Sequence, residues 1–188
     1  MTACQGGEGV SHRSIRGQIT DPDNGKAEHA MVQTITMPAG VAELAALDPV
    51  DYQEAFAFDT DSVRSPENWA RLILEGAPLA KRAAMLSTWT ALGVRLAALG
   101  SDGQVLGWRI RHSGPEAVVL GAQAAIGITA RIVIQVDPQR VVHAMLIRYD
   151  RSIARPVWTM VAPRHHRFVG ALLDRANRVP AGPAVPHV

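Results

Sequence analysis

The second half of the chain places a series of extended segments directly before one amphipathic helix, and this order constrains the fold most. Short apolar segments separated by turn-forming residues fill the stretch from Gln104 to Val161, and the residues from Pro163 to Phe168 open the helix. Strands joined by short connections pair as antiparallel neighbours, and a helix that follows them can close one face of their sheet. The sequence therefore predicts an α+β domain in which sheet and helix form a cup.

The clearest strand signal is the alternation of apolar side chains from Ile126 to Val136. Every second position there holds isoleucine, alanine or valine, which is typical of a strand with one face on a core. Further strands are predicted at residues 106–111, 117–123 and 141–149. The segment from Ile153 to Val161 is predicted as the last strand. Pro156 marks it as a sheet edge, because proline cannot donate to a strand ladder.

The first half of the chain combines short strands with two helices. Residues 31–36 and the aromatic alternation from Tyr52 to Phe58 predict strands, with one or two helical turns at residues 38–47 between them. Ser65-Pro66-Glu67 is typical of a helix start, because serine caps the helix and proline suits its first position. A second helix is predicted from Pro78 to Leu99 and ends at Gly100. One apolar stripe runs along it: Met85, Trp89, Leu92, Leu96 and Leu99.

Length and composition suit one folded domain with two tails. The chain has 188 residues, and its 47% apolar and 19% charged content is neither that of a disordered chain nor that of a membrane protein. Residues 1–30 are expected to form a disordered leader, residues 31–179 the folded domain, and residues 180–188 a proline-rich tail. The first residues lack the basic and apolar regions of a signal peptide, and apolar stretches are too short to span a bilayer. We therefore expect a cytoplasmic protein.

Charge and cysteine content exclude several classes of partner and site. The net charge is +2, and the arginines are interspersed with carboxylates, so the chain is not expected to bind nucleic acid. Cys4 is the single cysteine, which excludes an intrachain disulfide and a cysteine-based zinc cluster. The sequence does not indicate an oligomeric state.

Four short motifs, taken in order, resemble one family. They lie at Asp51-Tyr52-Gln53-Glu54-Ala55-Phe56, at Trp69-Ala70-Arg71 with Gly76-Ala77-Pro78, at Leu99-Gly100, and at Pro163-x-His165. Together they resemble an uncharacterised bacterial family within the START and polyketide-cyclase-like (SRPBCC, helix-grip) superfamily. Members of that family occur alone or appended to NAD(P)-dependent epimerase-like proteins. The resemblance covers roughly residues 31–179.

The resemblance implies a curved antiparallel sheet around a long C-terminal helix, with helices inserted after the first strand and a cavity between sheet and helix. It implies no catalytic residue. Arg164 stands where the family would have an aromatic residue, and a second histidine, His166, follows. The chain lacks the glycine-rich strand–turn–helix of a dinucleotide-binding domain, so we expect the domain to stand alone. No cofactor is expected.

A cup with apolar walls predicts a binding site for a small apolar molecule, such as a lipid or a polyketide-like metabolite. Methionine and aromatic side chains on the inner surface are typical of an adaptable pocket. The residues expected to contact the ligand are Trp108, Ile132, Ile134, Met145, Trp158, Met160, His165 and Phe168. The alternatives are a cyclase-like or dehydratase-like enzyme acting on such a ligand, and an interaction module whose cup is filled by side chains.

The histidines are candidates for ligand contact or acid–base chemistry rather than for metal binding. His165 and His166 are adjacent, whereas two metal ligands on one helix usually lie four residues apart. We expect one of them to pack at the helix N-terminus and the other to be solvated, with no metal bound. His165 or His143 would act as acid or base in an enzyme.

Other charged residues are expected mainly to be structural. Arg109 and Arg111 alternate with Trp108, so they face solvent if the tryptophan faces the cup, and they reach inward only in the opposite register. In an enzyme, Arg109 would stabilise a carbonyl or enolate oxygen. The spacing of four acids suits caps and turns better than a paired-carboxylate site: Asp51, Glu54, Asp59 and Asp61.

Overall fold

A computed structural model describes residues 31–180 as an α+β fold. Its strands are β1 (Gln33–Ile35), β2 (Tyr52–Asp59), β3 (Gln104–Val105), β4 (Trp108–Ser113), β5 (Ala117–Ala124), β6 (Ile128–Asp137) and β7 (Arg140–Tyr149). Its helices are α1 (Val41–Ala45), α2 (Pro66–Leu74), α3 (Leu79–Ala91) and α4 (Ala154–Asn177). The predicted leader, Cys4 and residues 181–188 lie outside the described part of the chain.

The strands form one open, curved antiparallel sheet in the order β1-β2-β7-β6-β5-β4-β3. Strands β4 to β7 follow one another as a meander, as the short turns of the sequence predict. Strand β2 adds to the far side of β7, with Phe56 opposite His143 and Glu54 opposite Met145. Opposed residues point to the same face of a sheet, and so do residues two apart on one strand. This register therefore places Glu54 and Phe56 on one surface with His143 and Met145, which lie far away in the sequence.

Both faces of the central strands are covered. On the inner face, which we define as the face that packs against α2 and α4, Ile128, Ala130 and Ile132 belong to the main core. On the opposite face, Val133 packs in a smaller core with Val41 of α1. The inward side predicted from the alternation in residues 126–136 is therefore confirmed.

Helix α2 begins as its sequence predicts. The Ser65 hydroxyl accepts a hydrogen bond from the backbone N–H of Asn68, and Pro66 occupies the first turn. Trp69 and Ile73 are fully buried beneath the helix. Burial of side chains of this size contributes roughly 2 kcal/mol each, which is more than the cap contributes.

Helix α3 ends at Ala91, so the prediction that it continues to Leu99 is wrong. Gly93 has a positive φ of 69°, its N–H donates to the carbonyl of Thr90, and the N–H of Val94 donates to the carbonyl of Trp89. This pair of bonds is the Schellman ending of a helix, which favours glycine because of its left-handed backbone. Of the predicted stripe, Met85 is buried, whereas Leu99 lies in the following loop and is exposed.

The segment predicted as the last strand is the start of helix α4, so that prediction is wrong. Pro156 lies in the first turn of the helix, where backbone N–H groups have no acceptor within the helix. The N–H that proline lacks therefore costs no hydrogen bond at this position. Ala154 and Trp158 are buried one turn apart against the inner face. Pro163 lies inside the helix rather than at its start. No helix within residues 31–180 is both long and apolar enough to cross a bilayer.

Candidate functional site

A cavity of about 460 Å³ lies between the inner face of the sheet and the helices α2, α3 and α4. Strands β4 to β7 form its floor, with Ile132 and Met145 among the contributing side chains. Its walls are mostly aliphatic and aromatic, and it reaches the surface. The volume falls within the range of about 300–1,000 Å³ that is typical of small-molecule sites.

Six of the eight residues predicted to contact a ligand line this cavity: Trp108, Ile132, Met145, Trp158, His165 and Phe168. Ile134 is buried in the same core but does not line the cavity. Met160 lies on the outer side of α4 and is 74% exposed. The sequence predicts a strand here, and a strand would turn Met160 to the same face as Trp158. On a helix, Met160 is more than half a turn away from Trp158, so the two side chains point to different sides.

A buried carboxylate, Glu54, lies behind the cavity wall at the inner face of β2. The Tyr52 hydroxyl donates to its Oε2 at 2.8 Å, and His166 Nδ1 lies 2.9 Å from the same oxygen. His165 Nδ1 lies 2.8 Å from Oε1, at an angle outside hydrogen-bond geometry, so we treat this contact as electrostatic. The two neighbouring histidines therefore meet one carboxylate, one at each oxygen.

The environment of Glu54 favours its ionised form. Burial acts to raise the pKa of this carboxyl, but the contact with His165 and the hydrogen bonds from His166 and Tyr52 outweigh burial and lower the pKa from 4.5 to about 2. The same arrangement raises the pKa of Tyr52, through burial and through its bond to Glu54. Glu54 is thus a fixed negative charge held by two imidazoles of α4.

Neither histidine of α4 has the surroundings that the sequence predicted. Both lie in the middle of the helix rather than at its N-terminus, and neither is fully solvated. His166 Nε2 lies 3.2 Å from the Thr34 hydroxyl, so this residue connects α4 to both β1 and β2. The ring of His165 lies beside that of Trp158, with centroids 5.1 Å apart and planes tilted by 57°, and it lines the cavity.

His143 on β7 is the third imidazole and the most deeply buried one. Its side chain lines the cavity, and its Nδ1 has no hydrogen-bond partner within residues 31–180. Burial lowers the pKa of His143 to about 4, although the charge of Glu54 acts in the opposite direction. The imidazole is therefore neutral at physiological pH.

Two tryptophans of the cavity wall have buried indole nitrogens. Trp108 Nε1 and Trp158 Nε1 are buried, and in the described part of the chain neither has a hydrogen-bond partner. A buried N–H without a partner costs about 1–3 kcal/mol, so native proteins seldom retain several together. The two residues therefore line the cavity with ring carbons, and their N–H groups are not exposed to it.

The remaining charged candidates lie away from the cavity. Arg109 and Arg111 are exposed, in agreement with the register that places Trp108 inward. Asp51 accepts from the backbone N–H of Tyr149, and Asp59 pairs with Arg140 at 3.4 Å, so both have structural roles. Among residues 31–180, no group of three or more His, Cys, Asp or Glu side chains could hold a metal ion.

Sequence reasoning missed the role of Glu54, although one signal was present. Glu54 lies between Tyr52 and Phe56 in the alternating pattern of β2, which places a carboxylate among aromatic side chains on the inward face. A charged residue on a buried face requires a partner. Those partners lie more than 100 positions away, which spacing alone does not reveal.

A second depression at the β6–β7 turn does not share these properties. Its nominal volume of about 650 Å³ exceeds that of the inner cavity, but it is bordered by exposed turn residues, including Asp59, Asp137 and Arg140. Much of that volume is open to solvent. We therefore take the inner cavity as the candidate site.

No protein-family model matches the chain, and no curated protein matches it. Among solved structures, it is similar to the crystal structure of CalU16 from Micromonospora echinospora, with 8% sequence identity and a TM-score of 0.30. The alignment covers 67% of this chain and 81% of that one.

Proposed function

We propose that the chain binds a small, largely apolar molecule in the cavity beneath α4. The observation that supports this most is a space of about 460 Å³ whose walls are mostly aliphatic and aromatic side chains. A core filled by its own side chains would leave no such space. The cavity therefore favours a binding module over an interaction module with a filled cup.

We further propose that the domain belongs to the helix-grip group of START-like folds. The resemblance of its sequence motifs implies an antiparallel sheet closed by a C-terminal helix, with a cavity between them. The element order, the strand order and the position of α4 across the sheet support this assignment. A lipid or a polyketide-like metabolite is the class of ligand that such a domain would take.

The proposed contacts divide into apolar and polar groups. Trp108, Met145 and Phe168 would enclose the body of the ligand, and the unbranched methionine would adapt to its shape. His165 of α4 would contact its polar atoms. We therefore expect the polar end of the ligand on the α4 side.

Native mass spectrometry of the protein purified from cells tests this proposal. We expect a fraction of the folded protein to carry a dissociable small molecule. Ala130→Phe places a ring in the cavity, because Ala130 is a buried lining residue of β6, and this variant should lose the bound mass. Gln53→Phe, at an exposed position on β2, is the matched control and should retain it. Repeated absence of bound mass in the wild type would contradict the proposal.

A second candidate function is acid–base catalysis on the bound molecule. The contact between His165 Nδ1 and the Glu54 carboxylate favours the tautomer with the proton on Nδ1, which leaves Nε2 as the proton acceptor. A histidine oriented by a carboxylate at the edge of an apolar site is the arrangement that general bases use. In this role, His165 would remove a proton next to a carbonyl group.

Hydrogen–deuterium exchange of a probe ketone tests the second candidate. We expect the wild type to catalyse exchange of the α-protons of 2-undecanone in D₂O, with a proton passing from carbon to His165 Nε2 and a deuteron returning from solvent. His165→Gln should abolish the catalysis, and Arg109→Gln should not. Equal rates with wild type, His165→Gln and buffer alone would remove this candidate and leave the binding proposal intact.

A further inference from the structure

We propose that the ligand of this cavity is an amphiphilic anion, with its apolar body inside and its anionic group at the opening beside Arg164. This inference rests on the proposed binding function and names the class of ligand. It depends on where the cavity opens and on the sign of the charges found there.

The cavity opens between α3 and α4. Most of its lining is buried, and the exposed lining side chains mark the way out: Ala84, Thr88, Gln123 and Arg164. Three of these four lie on the two helices. Arg164 is thus both a wall residue and solvent-accessible, which is the position expected of a group that meets the end of a ligand rather than its middle.

The charges around this opening have one sign. Helix α3 carries Lys81 and Arg82 but no Asp or Glu, and α4 has no acid before Asp174. The Lys81 ammonium lies over the ring of Phe168, 5.5 Å from its centroid, so it reaches across from α3 to a lining residue of α4. Of the residues that the structure describes, no Asp or Glu lines the cavity.

The cation at the opening is not neutralised by the protein itself. Arg164 forms no ion pair within residues 31–180, whereas the arginines at positions 71, 140, 148 and 155 do. The buried carboxylate of Glu54 is held by His165 and His166 behind the wall. An arginine next to an apolar cavity can pair with a carboxylate or a similar oxyanion in two parallel hydrogen bonds.

The interior of the cavity excludes a ligand orientation with the anionic group at the floor and the apolar end at the opening. An anion placed at its floor would lose its hydration and would approach neutral His143 rather than a cation. At the opening, the anionic group keeps part of its hydration and meets Arg164 and Lys81. The apolar body then covers the indoles of Trp108 and Trp158.

Calorimetric titration with two matched probes tests the inference. Decanoate and decan-1-ol share one alkyl chain and differ in the charge of the head group. We expect decanoate to bind the wild type about tenfold more tightly than decan-1-ol, with a preference that falls as salt is added, because the pair at the opening is partly screened. Arg164→Gln should remove most of the preference. Arg109→Gln, which neutralises an exposed arginine outside the cavity, should keep it.

The outcomes separate the two proposals. Equal affinity of the two probes for the wild type, or tighter binding of decan-1-ol, would overturn the anion inference while the binding function stands. A decanoate preference that survives in both Arg164→Gln and Lys81→Gln would overturn the assignment of the opening. Failure of both probes to bind the wild type would count against the binding function itself. Unfolding curves of each variant show that it remains folded.

Discussion

His143→Leu is the substitution whose effect on stability can be worked out most fully from the structure. The imidazole of His143 is buried, and its Nδ1 has no partner among the described residues. Leucine has a similar size and no polar atoms. At pH 7 we expect the variant to be at least as stable as the wild type, because the substitution removes a buried polar atom that costs about 1–3 kcal/mol when unpaired.

The stability of His143→Leu relative to the wild type should increase as the pH falls. Burial lowers the pKa of His143 from 6.5 to about 4. Between these values the unfolded chain binds a proton that the folded protein does not, so the free energy of unfolding decreases with falling pH. For one such group, the loss between pH 7 and pH 5 is about 2 kcal/mol. His143→Leu has no imidazole at this position, so its free energy of unfolding should not decrease for this reason.

Urea unfolding at pH 7, 6 and 5 measures the difference. We expect the stability of His143→Leu relative to the wild type to increase by about 2 kcal/mol over this range. Met145→Leu is the matched control, because it alters the same cavity wall without a titratable group, and it should keep the wild-type pH dependence. Parallel curves for the wild type and His143→Leu would refute the account, since they would show that the imidazole binds protons equally in both states.

Three further predictions concern stability. Glu54→Gln should lower the free energy of unfolding at pH 7, measured in urea, by about 3 kcal/mol. The lowered pKa of Glu54 stabilises the fold fully above pH 4.5, and this stabilisation is lost as the pH falls to about 2. Because the variant lacks this carboxyl, it should lose less stability than the wild type over that pH range. Unchanged stability would show that the contacts to His165 and His166 contribute little. Ser65→Ala should cost about 1 kcal/mol through loss of the α2 cap, and Ser101→Ala, in a loop, serves as its comparison. Gly93→Ala should destabilise more than Gly100→Ala in thermal unfolding. Both glycines have positive φ, but only at Gly93 would the new methyl lie 2.7 Å from Ala125 Cβ. Equal costs would argue against the tight approach of the α3 end to the sheet.

Local patterns predicted the sheet well because strand periodicity is short and strict. The alternation from Ile126 to Val136 identified the inward side of β6, and the Ser65 cap identified the start of α2. The sequence wrongly predicts a strand for the first turns of α4, because Val157, Thr159 and Val161 alternate as strand residues do. Packing against the inner face overrode that preference. The helical spacing of Ala154, Trp158 and Val161 was the competing signal.

The candidate site was predicted only in part, because its polar groups converge through long-range pairing. The apolar residues of the wall follow from which face of each strand is inward, so Ile132 and Met145 could be named from sequence. The contact of Glu54 with His165 and His166 depends on the β2–β7 register and on how α4 crosses the sheet. The end of α3 just before Gly93, rather than at Gly100, depends on the fit of Gly93 against Ala125. These contacts join residues far apart in the sequence, so residue spacing alone does not predict them.

The central claim is that the space beneath α4 holds a small molecule, and intermolecular nuclear Overhauser effects test it most directly. With decanoate added to the protein, we expect contacts from the alkyl protons to the indole protons of Trp108 and Trp158, and loss of these contacts in Ala130→Phe. Contacts only to exposed side chains such as Met160, or identical contacts in Ala130→Phe, would show that the cavity does not bind the probe.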